Sequence, residues 1–423
     1  MTVLIYWFRR DLRLIDNPAF SSACLQADCL LPIYIHVPSP TATTGWGFER
    51  VGRHRQAFLR SSLDDLKRQL NSFGSDLFEY SGDVQSVISL LIEGVNASTI
   101  YCEQIEAPEE VEQVRLLQAS NIEVKSVWQS SMLEPSDLPF DIAVMPDIFT
   151  SFRHKIEKEK LRFAEPMPRV TYVPPLPVWQ NKLLQTSPLK AASTFTLFEG
   201  GETNAVAHLS QYVARRLPDT YKQTRNQLTG MNFSSKFSPW LSVGCVSART
   251  IAAQLADYEG EHGANEGTYW LWFELLWRDY FRFLHVKYGR KLYRKSGLTD
   301  LPLNEFDRTR FAQWSEGLTG EALIDAGMTE LSATGYLSNR LRQVAASYWV
   351  YDMKGDWQAG AAWFESQLID YDVYSNQGNW LYIAGRGTDP RGGRAFNVAK
   401  QTADHDADGH YRNRSLKQHE GSV

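Results

Sequence analysis

The sequence predicts an α/β N-terminal domain built on a doubly wound parallel sheet, followed by an all-α C-terminal domain. Three observations lead to this reading. Short β-rich runs alternate with helical patterns over the first third, prolines crowd the stretch from about 130 to 200, and helical periodicity dominates beyond it.

The runs VLIYWF, CLLPIYIHV, DLFEYSG, STIYCEQ and IEVKSVW read as strands. Between them NPAFSSACLQA, HRQAFLRSSLDDLKRQL, VQSVISLLIEG and PEEVEQVRLLQA carry apolar residues at helical spacing. Pro18 and Pro108 fall near helix starts, where a missing N–H costs little. Regular strand–helix alternation implies crossover connections, hence parallel strands with helices on both faces. No GxGxxG follows the first strand, so the usual dinucleotide fingerprint is absent. We place the α/β domain at 1–130. A connector follows at 131–200, punctuated by Pro135, Pro139, Pro146, Pro166, Pro168, Pro174, Pro175 and Pro177. The helical domain takes 201–423, with a polar tail after about 403 that is expected to fray.

Composition narrows the class. The 423 residues are 43% hydrophobic and 22% charged with a net charge of −5, so any nucleic-acid surface must be a local patch. The four cysteines (Cys24, Cys29, Cys102, Cys245) lack CxxC or metal spacing, and the nine histidines lack HxxxH spacing. No metal site is expected, and reduced thiols suit a cytoplasmic protein. No apolar run is long enough to span a bilayer, and no leader precedes the first strand, so no membrane partner is expected.

Four stretches carry candidate chemistry. In GTYWLWFELLWRDYFRFL, Trp270, Glu274, Trp277 and Phe281 form one helical stripe, and Glu274 stands four residues before Arg278 as a candidate ion pair. A carboxylate beside a Trp face suits a planar ligand with polar edges, although an aromatic core face is the commoner meaning of such a stripe. In GYLSNRLRQVAASYWVYDM, Asn339, Arg342 and Gln343 share a helical face, and paired amides can read a base edge. A solvated polar stripe is the other reading. In NFSSKFSPWLSVGCVSART, Ser234, Ser235, Lys236 and Ser238 precede Pro239 and a helical run, which suits either plain capping or a phosphate cradle. Finally, LIDYDVYSNQGNWLY places Asp370 and Asp372 among apolar and aromatic residues, and AGRGTDPRGGRAFNVAKQ follows with Arg386, Arg391, Arg394 and Lys400. Two acids in such surroundings need partners. A charged loop is the default reading of the Arg-rich segment, and such a loop beside an aromatic pocket also suits a phosphate backbone.

Taken in order with YWFRRDLRLIDNPAF and YKQTRNQLTG, these stretches resemble the photolyase/cryptochrome family, most closely its DASH-type cryptochromes, over nearly the whole chain. The resemblance implies a U-shaped FAD inside the helical domain. Asp370, Asp372 and Asn376 would face the flavin and ribose, with Arg342 pairing Asp370. Tyr221 and the run Ser234, Ser235, Lys236, Phe237, Ser238 would hold the pyrophosphate, and Arg278 and Asn339 would complete the pocket. It further implies light-driven repair of cyclobutane pyrimidine dimers, preferably in single-stranded DNA, where flipping the lesion costs least. Glu274 would bond the thymine edges, Trp277 and Tyr382 would wall the dimer, Gln343 would stand beside it, and Arg225 and Gln401 would contact the strand. Trp380 and Trp357 would be the inner residues of the electron relay that reduces the flavin. A photoreceptor with little or no repair activity is the alternative. A monomer is expected.

The pattern is departed from at several places. Asn304 stands where a third relay Trp belongs, with Tyr351 or Trp349 as other exits. TGEAL replaces TGYP, with Glu321 and Ala322, and Leu341 replaces a usual Gly. Glu109 follows Pro108 where some relatives contact a methenyltetrahydrofolate antenna, so that cofactor is admitted by the resemblance rather than required; a Glu at a helix start otherwise just compensates the dipole.

Overall fold

A computed structural model describes residues 1–37, 42–178 and 197–413. Five parallel strands, β1 (Val3–Phe8), β2 (Cys29–His36), β3 (Phe78–Ser81), β4 (Thr99–Glu103) and β5 (Glu123–Val127), pair in the order β3-β2-β1-β4-β5. Helices α1 (Pro18–Gln26), α2 (Arg53–Asn71), α3 (Val84–Val95) and α4 (Pro108–Ala119) make the crossovers. All six β1 residues are buried, as a strand covered on both faces requires. Its side chains alternate between two cores. Leu4, Tyr6 and Phe8 pack with Phe20 of α1 and Phe58 and Leu66 of α2. Val3, Ile5 and Trp7 pack with Ile88 and Leu91 of α3 and Leu117 of α4. The doubly wound sheet predicted from the alternation is therefore the one formed.

The stretch after β5 is irregular apart from two short 3₁₀ turns and one ten-residue helix, α5 (Phe149–Lys158), which the proline count had hidden. Residues 179–196 of the expected connector lie outside the described residues. Then come α6 (Glu202–Ala214), α7 (Tyr221–Thr224), α8 (Ser238–Val243), α9 (Ala248–His262), α10 (Glu266–Tyr288), α11 (Arg308–Ser315), α12 (Ala322–Thr334), α13 (Asn339–Ser347), α14 (Trp357–Gln367), α15 (Val373–Ala384) and α16 (Val398–His405). Among the described residues no helix is long and apolar enough to cross a membrane.

Strand order reverses direction between β1 and β4, and the chain leaving β1 is pressed against the helices. Leu12 N donates to Val243 O at 3.1 Å. Gly244 closes α8 at φ 74°, and a Cβ there would stand 1.9 Å from Arg10 O, so only glycine permits this approach. The C-terminal side of the sheet thus abuts the helical half where the candidate site lies.

One expectation is corrected. The tail does not fray at 403. Through 413 it packs: Tyr411 is buried and its hydroxyl meets Glu330, while Asp406 is buried and accepts from Arg412 Nε at 2.8 Å. Residues 414–423 lie outside the described residues.

Candidate functional site

A cavity of about 420 Å³ opens in the helical half. Its lining gathers Tyr221, Arg225, Ser234, Ser235, Lys236, Phe237, Ser238, Glu274, Trp277, Arg278, Asn339, Arg342, Gln343, Asp370, Asp372 and Tyr382. Residues up to 161 positions apart in sequence thus meet on one surface, contributed by α7, the loop into α8, α10, α13 and α15. An adjoining pocket of about 80 Å³ shares Asn339, Arg342, Gln343, Asp370 and Asp372 and adds Asn376 and Trp380. Gln401 and Trp357 line neither. Trp357 instead gives its indole N–H to Lys295 O at 2.9 Å.

The two acids are held by two arginines. Arg342 Nη2 lies 2.8 Å from Asp370 Oδ2, the pairing expected from the sequence. Asp372 pairs with Arg282 at 2.6 Å, a residue the sequence reading passed over. Asp372 also caps α15, accepting from Ser375 N at 2.8 Å. Burial alone would raise its pKa. Arg282, then Arg278 and the Ser375 N–H, outweigh burial and hold the carboxyl well below the usual carboxylate range. Asp370 keeps one oxygen, Oδ1, buried without a hydrogen-bond partner. A buried acceptor left open is costly unless a ligand completes it.

The expected Glu274–Arg278 pair does not form. Arg225 takes Glu274 instead, with Nη2 2.7 Å from Oε1, and its guanidinium also covers Trp270 at 4.5 Å. That approach is off the line a hydrogen bond needs, so Oε1 carries no such bond. Burial pushes the Glu274 carboxyl above its ordinary range, and Arg225 offsets this only in part. Arg278 turns to backbone, donating to Leu241 O at 3.3 Å and, at 2.5 Å, to Ser130 O. Burial and the neighbouring Arg282 push it down to about 10. The cause is geometric: each side chain has a closer partner across the fold, Arg225 for Glu274 and the Ser130 and Leu241 carbonyls for Arg278.

Lys236 is 6% exposed, and among the described residues no carboxylate stands within ion-pair distance of it. Burial pushes its ammonium down to about 8, against the pull of Glu330 and Asp370. Ser234 and Lys236 both take left-handed backbone, at φ 56° each. Neither Ser234 nor Ser238 caps α8, whose N-cap is Phe237 without a side-chain bond. The strained loop therefore presents hydroxyls and a cation to the cavity instead of serving its helix.

Trp277 stacks on Phe149 with centroids 3.7 Å apart and meets Tyr382 edge-on at 6.0 Å. Arg394 holds Tyr382 by its hydroxyl and over its ring, and is itself paired to Asp389 at 3.0 Å. Arg386, expected to face a phosphate backbone, is instead buried and donates to Ser296 O and Leu301 O at 3.4 and 3.1 Å, pinning that loop. Of the four cations in this segment, Arg391 and Lys400 are exposed. Glu109 is engaged by Arg50 at 2.9 Å, which also binds Glu365 at 2.8 Å. Ser375, Asn379 and Tyr336 line the cavity without having been foreseen.

The chain matches the family described as the FAD binding domain of DNA photolyase over residues 270–420 and that described as DNA photolyase over 4–174. It belongs to the photolyase/cryptochrome family. Within that family its likeness is to the DASH-type cryptochromes. Cryptochrome DASH of Gloeobacter violaceus is 42% identical over 424 residues, covering 97% of this chain and 84% of that protein. A solved Synechocystis cryptochrome superposes with a TM-score of 0.93 at 40% identity, covering 98% of this chain and 88% of that one. An archaeal photolyase from Sulfolobus tokodaii, solved with two FAD molecules, gives a TM-score of 0.76 at 26% identity.

The cofactor is FAD, and the residues present fit it. The open Asp370 Oδ1 is an acceptor awaiting a donor. Among the described residues neither the buried Lys236 nor the half-buried Arg278 has a carboxylate within ion-pair distance, which suits a pyrophosphate.

Proposed function

We propose that this protein repairs cyclobutane pyrimidine dimers under blue light, preferably in single-stranded DNA, as a photolyase-type carbon–carbon lyase. The observation that carries the reading is that one cavity is lined by two chemically distinct sets of side chains. Asp370, Asp372, Lys236 and Arg278 make a charged set suited to FAD. Glu274, Trp277 and Tyr382 make an aromatic set with one acceptor, suited to a flipped dimer. Bound by the charged set, reduced FAD supplies the light-driven electron that opens the dimer ring.

The chain's own residues do the rest. Asn376 anchors its amide on Ala361 O at 3.0 Å, which leaves its carbonyl for the flavin edge. Glu274 Oε1, free of hydrogen bonds, accepts from a pyrimidine N–H. Burial raises its pKa, which favours retention of a proton there. Arg225 and Gln343 orient the strand and dimer at the mouth. Gln401 lies outside the cavity, so its contact is with strand beyond the lesion. A cytoplasmic monomer, a methenyltetrahydrofolate antenna at Glu109 and the 131–200 connector between two domains belong to the same proposal.

The test is dimer turnover. Purified chain with reduced flavin, given single-stranded and duplex substrates under blue light, is expected to restore the dimer's lost absorbance faster in the single strand. Asn304 Nδ2 is spent on Val350 O and Gly355 O at 3.0 and 3.1 Å, where an oxidisable ring is expected, which weakens photoreduction of the flavin for repair and for the photoreceptor alternative alike. Flavin that responds to light without any dimer loss would select that reading.

A further inference from the structure

Trp277 of α10 stands between the cavity, which it lines, and Phe149 of α5. The two rings stack with planes 14° apart and centroids 3.7 Å apart. Among the described residues no other ring lies parallel to Trp277: Tyr280 and Tyr382 meet it edge-on at 5.6 and 6.0 Å, and Phe281 is tilted at 5.5 Å. Phe149 is buried and does not line the cavity. It also meets Phe273 and Tyr280 edge-on at 5.2 and 5.4 Å, so three rings of α10 box it in. Its backbone is pinned just before α5 begins. Ile148 caps α5 without a side-chain bond, and Asp147 does the holding. Lys287 Nζ and Tyr288 Oη each donate to Asp147 Oδ1 at 2.7 Å, the Tyr280 hydroxyl donates to Asp147 O, and Lys287 Nζ also donates to Met145 O at 2.7 Å. All of these donors belong to α10, the helix that carries Trp277.

We propose that Phe149 is a positioning residue for lesion recognition, holding the Trp277 indole so that the side it leaves uncovered is ready for the flipped pyrimidines. The inference rests on the function proposed above, and it extends the substrate site to a segment that touches no substrate. A half-buried indole at a cavity wall loses rotamer freedom when it orders against a ligand. A stacked partner removes that cost beforehand, because the rotamer is already locked by packing. Aromatic pairs of this geometry are worth a factor of about 2–12 in an equilibrium constant beyond their burial. Undamaged strand places no flipped dimer against the indole and gains nothing from the stack. Phe149 therefore acts on discrimination between damaged and undamaged DNA, and not on flavin binding.

The experiment measures binding in the dark, where no turnover occurs. Flavin-bound parent, Phe149→Leu, Trp277→Leu and the double variant are titrated with a short single strand carrying one thymine dimer and with the same strand undamaged. Leucine keeps an apolar side chain against α10 but cannot stack. We expect Phe149→Leu to lower the dimer-to-undamaged affinity ratio about threefold to tenfold, with flavin content and affinity for the undamaged strand within about twofold of the parent. Made in the Trp277→Leu background, the same substitution should change the ratio by less than about twofold, since Phe149 acts through Trp277. Should Phe149→Leu lose its flavin, Asp147→Ala at the exposed entry to α5 loosens Phe149 and repeats the test. A ratio unchanged by loosening Phe149, or a loss of equal size without Trp277, overturns the proposal, while a parent that prefers the dimer leaves the function reading standing. A parent that binds both strands alike removes that reading and the inference with it.

Discussion

Arg282 Nη2 stands 2.6 Å from Asp372 Oδ2 with both side chains almost wholly withdrawn from water. Arg282 also covers Tyr374 at 4.7 Å and donates to Arg278 O at 3.2 Å, so its position is fixed from three sides. Removing one partner of such a pair leaves the other charge buried alone, which costs about 3–5 kcal/mol. Arg282→Met is therefore expected to lower unfolding free energy by that amount in a denaturant titration. Adding Asp372→Asn should recover part of it, since the stranded charge is gone. A loss below about 1 kcal/mol, within the range of exposed pairs, would mean that Asp372 is solvated in the folded chain.

Arg282 also shows how far the sequence could be read. The sheet was legible because strand and crossover helix leave different periods, and each β1 residue chooses one of two cores by parity. Asp370, Asp372, Asn339 and Arg342 were legible because polar residues in apolar runs need partners. Arg282 was missed because it hides in an aromatic helix. The signal was there: Arg278, Arg282 and His285 recur at i, i+4, i+7 on the face beside the Trp stripe. The Glu274–Arg278 pairing failed for the opposite reason. Helical spacing reports neighbours along α10 but not Arg225, which arrives from another helix 49 residues away. Helix α5 was concealed because its prolines lie outside it, at 146 and 166, and a count over a window could not see the gap.

Lys236 sets a pH dependence on cofactor binding. In the free protein its ammonium is pushed down to about 8, below its ordinary value near 10.4. An anionic pyrophosphate beside it favours the charged form, so binding takes up a proton above that pH. Affinity for FAD is expected to be flat below about pH 8 and to fall above it, by up to about tenfold per unit. For the free chain the sign is the reverse: a lowered lysine destabilises below about pH 8, and that penalty fades as pH rises toward the unfolded value. Lys236→Gln should remove the slope in a flavin-release titration read by fluorescence. A slope unchanged in the variant would assign it to another group.

Glu274 separates substrate from cofactor. Its carboxylate pairs with Arg225 and, among the described residues, forms no ion pair with Lys236 or Arg278. Glu274→Gln keeps the shape but turns one acceptor into a donor that faces a pyrimidine N–H. Losing one charged hydrogen bond and leaving a donor unpaired amounts to about 2–4 kcal/mol. Dimer turnover should fall about 30-fold or more at unchanged flavin absorbance. Arg225, freed of its partner, should make the variant bind undamaged single-stranded DNA slightly tighter at low salt. Loss of flavin together with turnover would move Glu274 into the cofactor's site.

Gly360 tests the packing behind the cavity. It sits inside α14, where replacing glycine by alanine ordinarily stabilises by about 0.5–1 kcal/mol. Here the new methyl would fall 2.3 Å from the Trp380 ring and 2.9 Å from Trp349. Neither is the loose end of a flexible chain. Trp349 is fixed by its bond to Asp356 O, and Trp380 is wedged against Trp314 and Phe364. Overpacking of this kind costs about 1–3 kcal/mol, so the clash outweighs the helix gain. Gly360→Ala is expected to lower the melting temperature, with far-ultraviolet dichroism unchanged and the near-ultraviolet Trp signal altered. Because Trp380 lines the pocket that Asn376 shares, the flavin absorption bands should shift as well. A variant as stable as the parent, with both spectra unmoved, would mean that Trp380 has a second place to go and that the ring contacts behind the cavity are looser than their spacing implies.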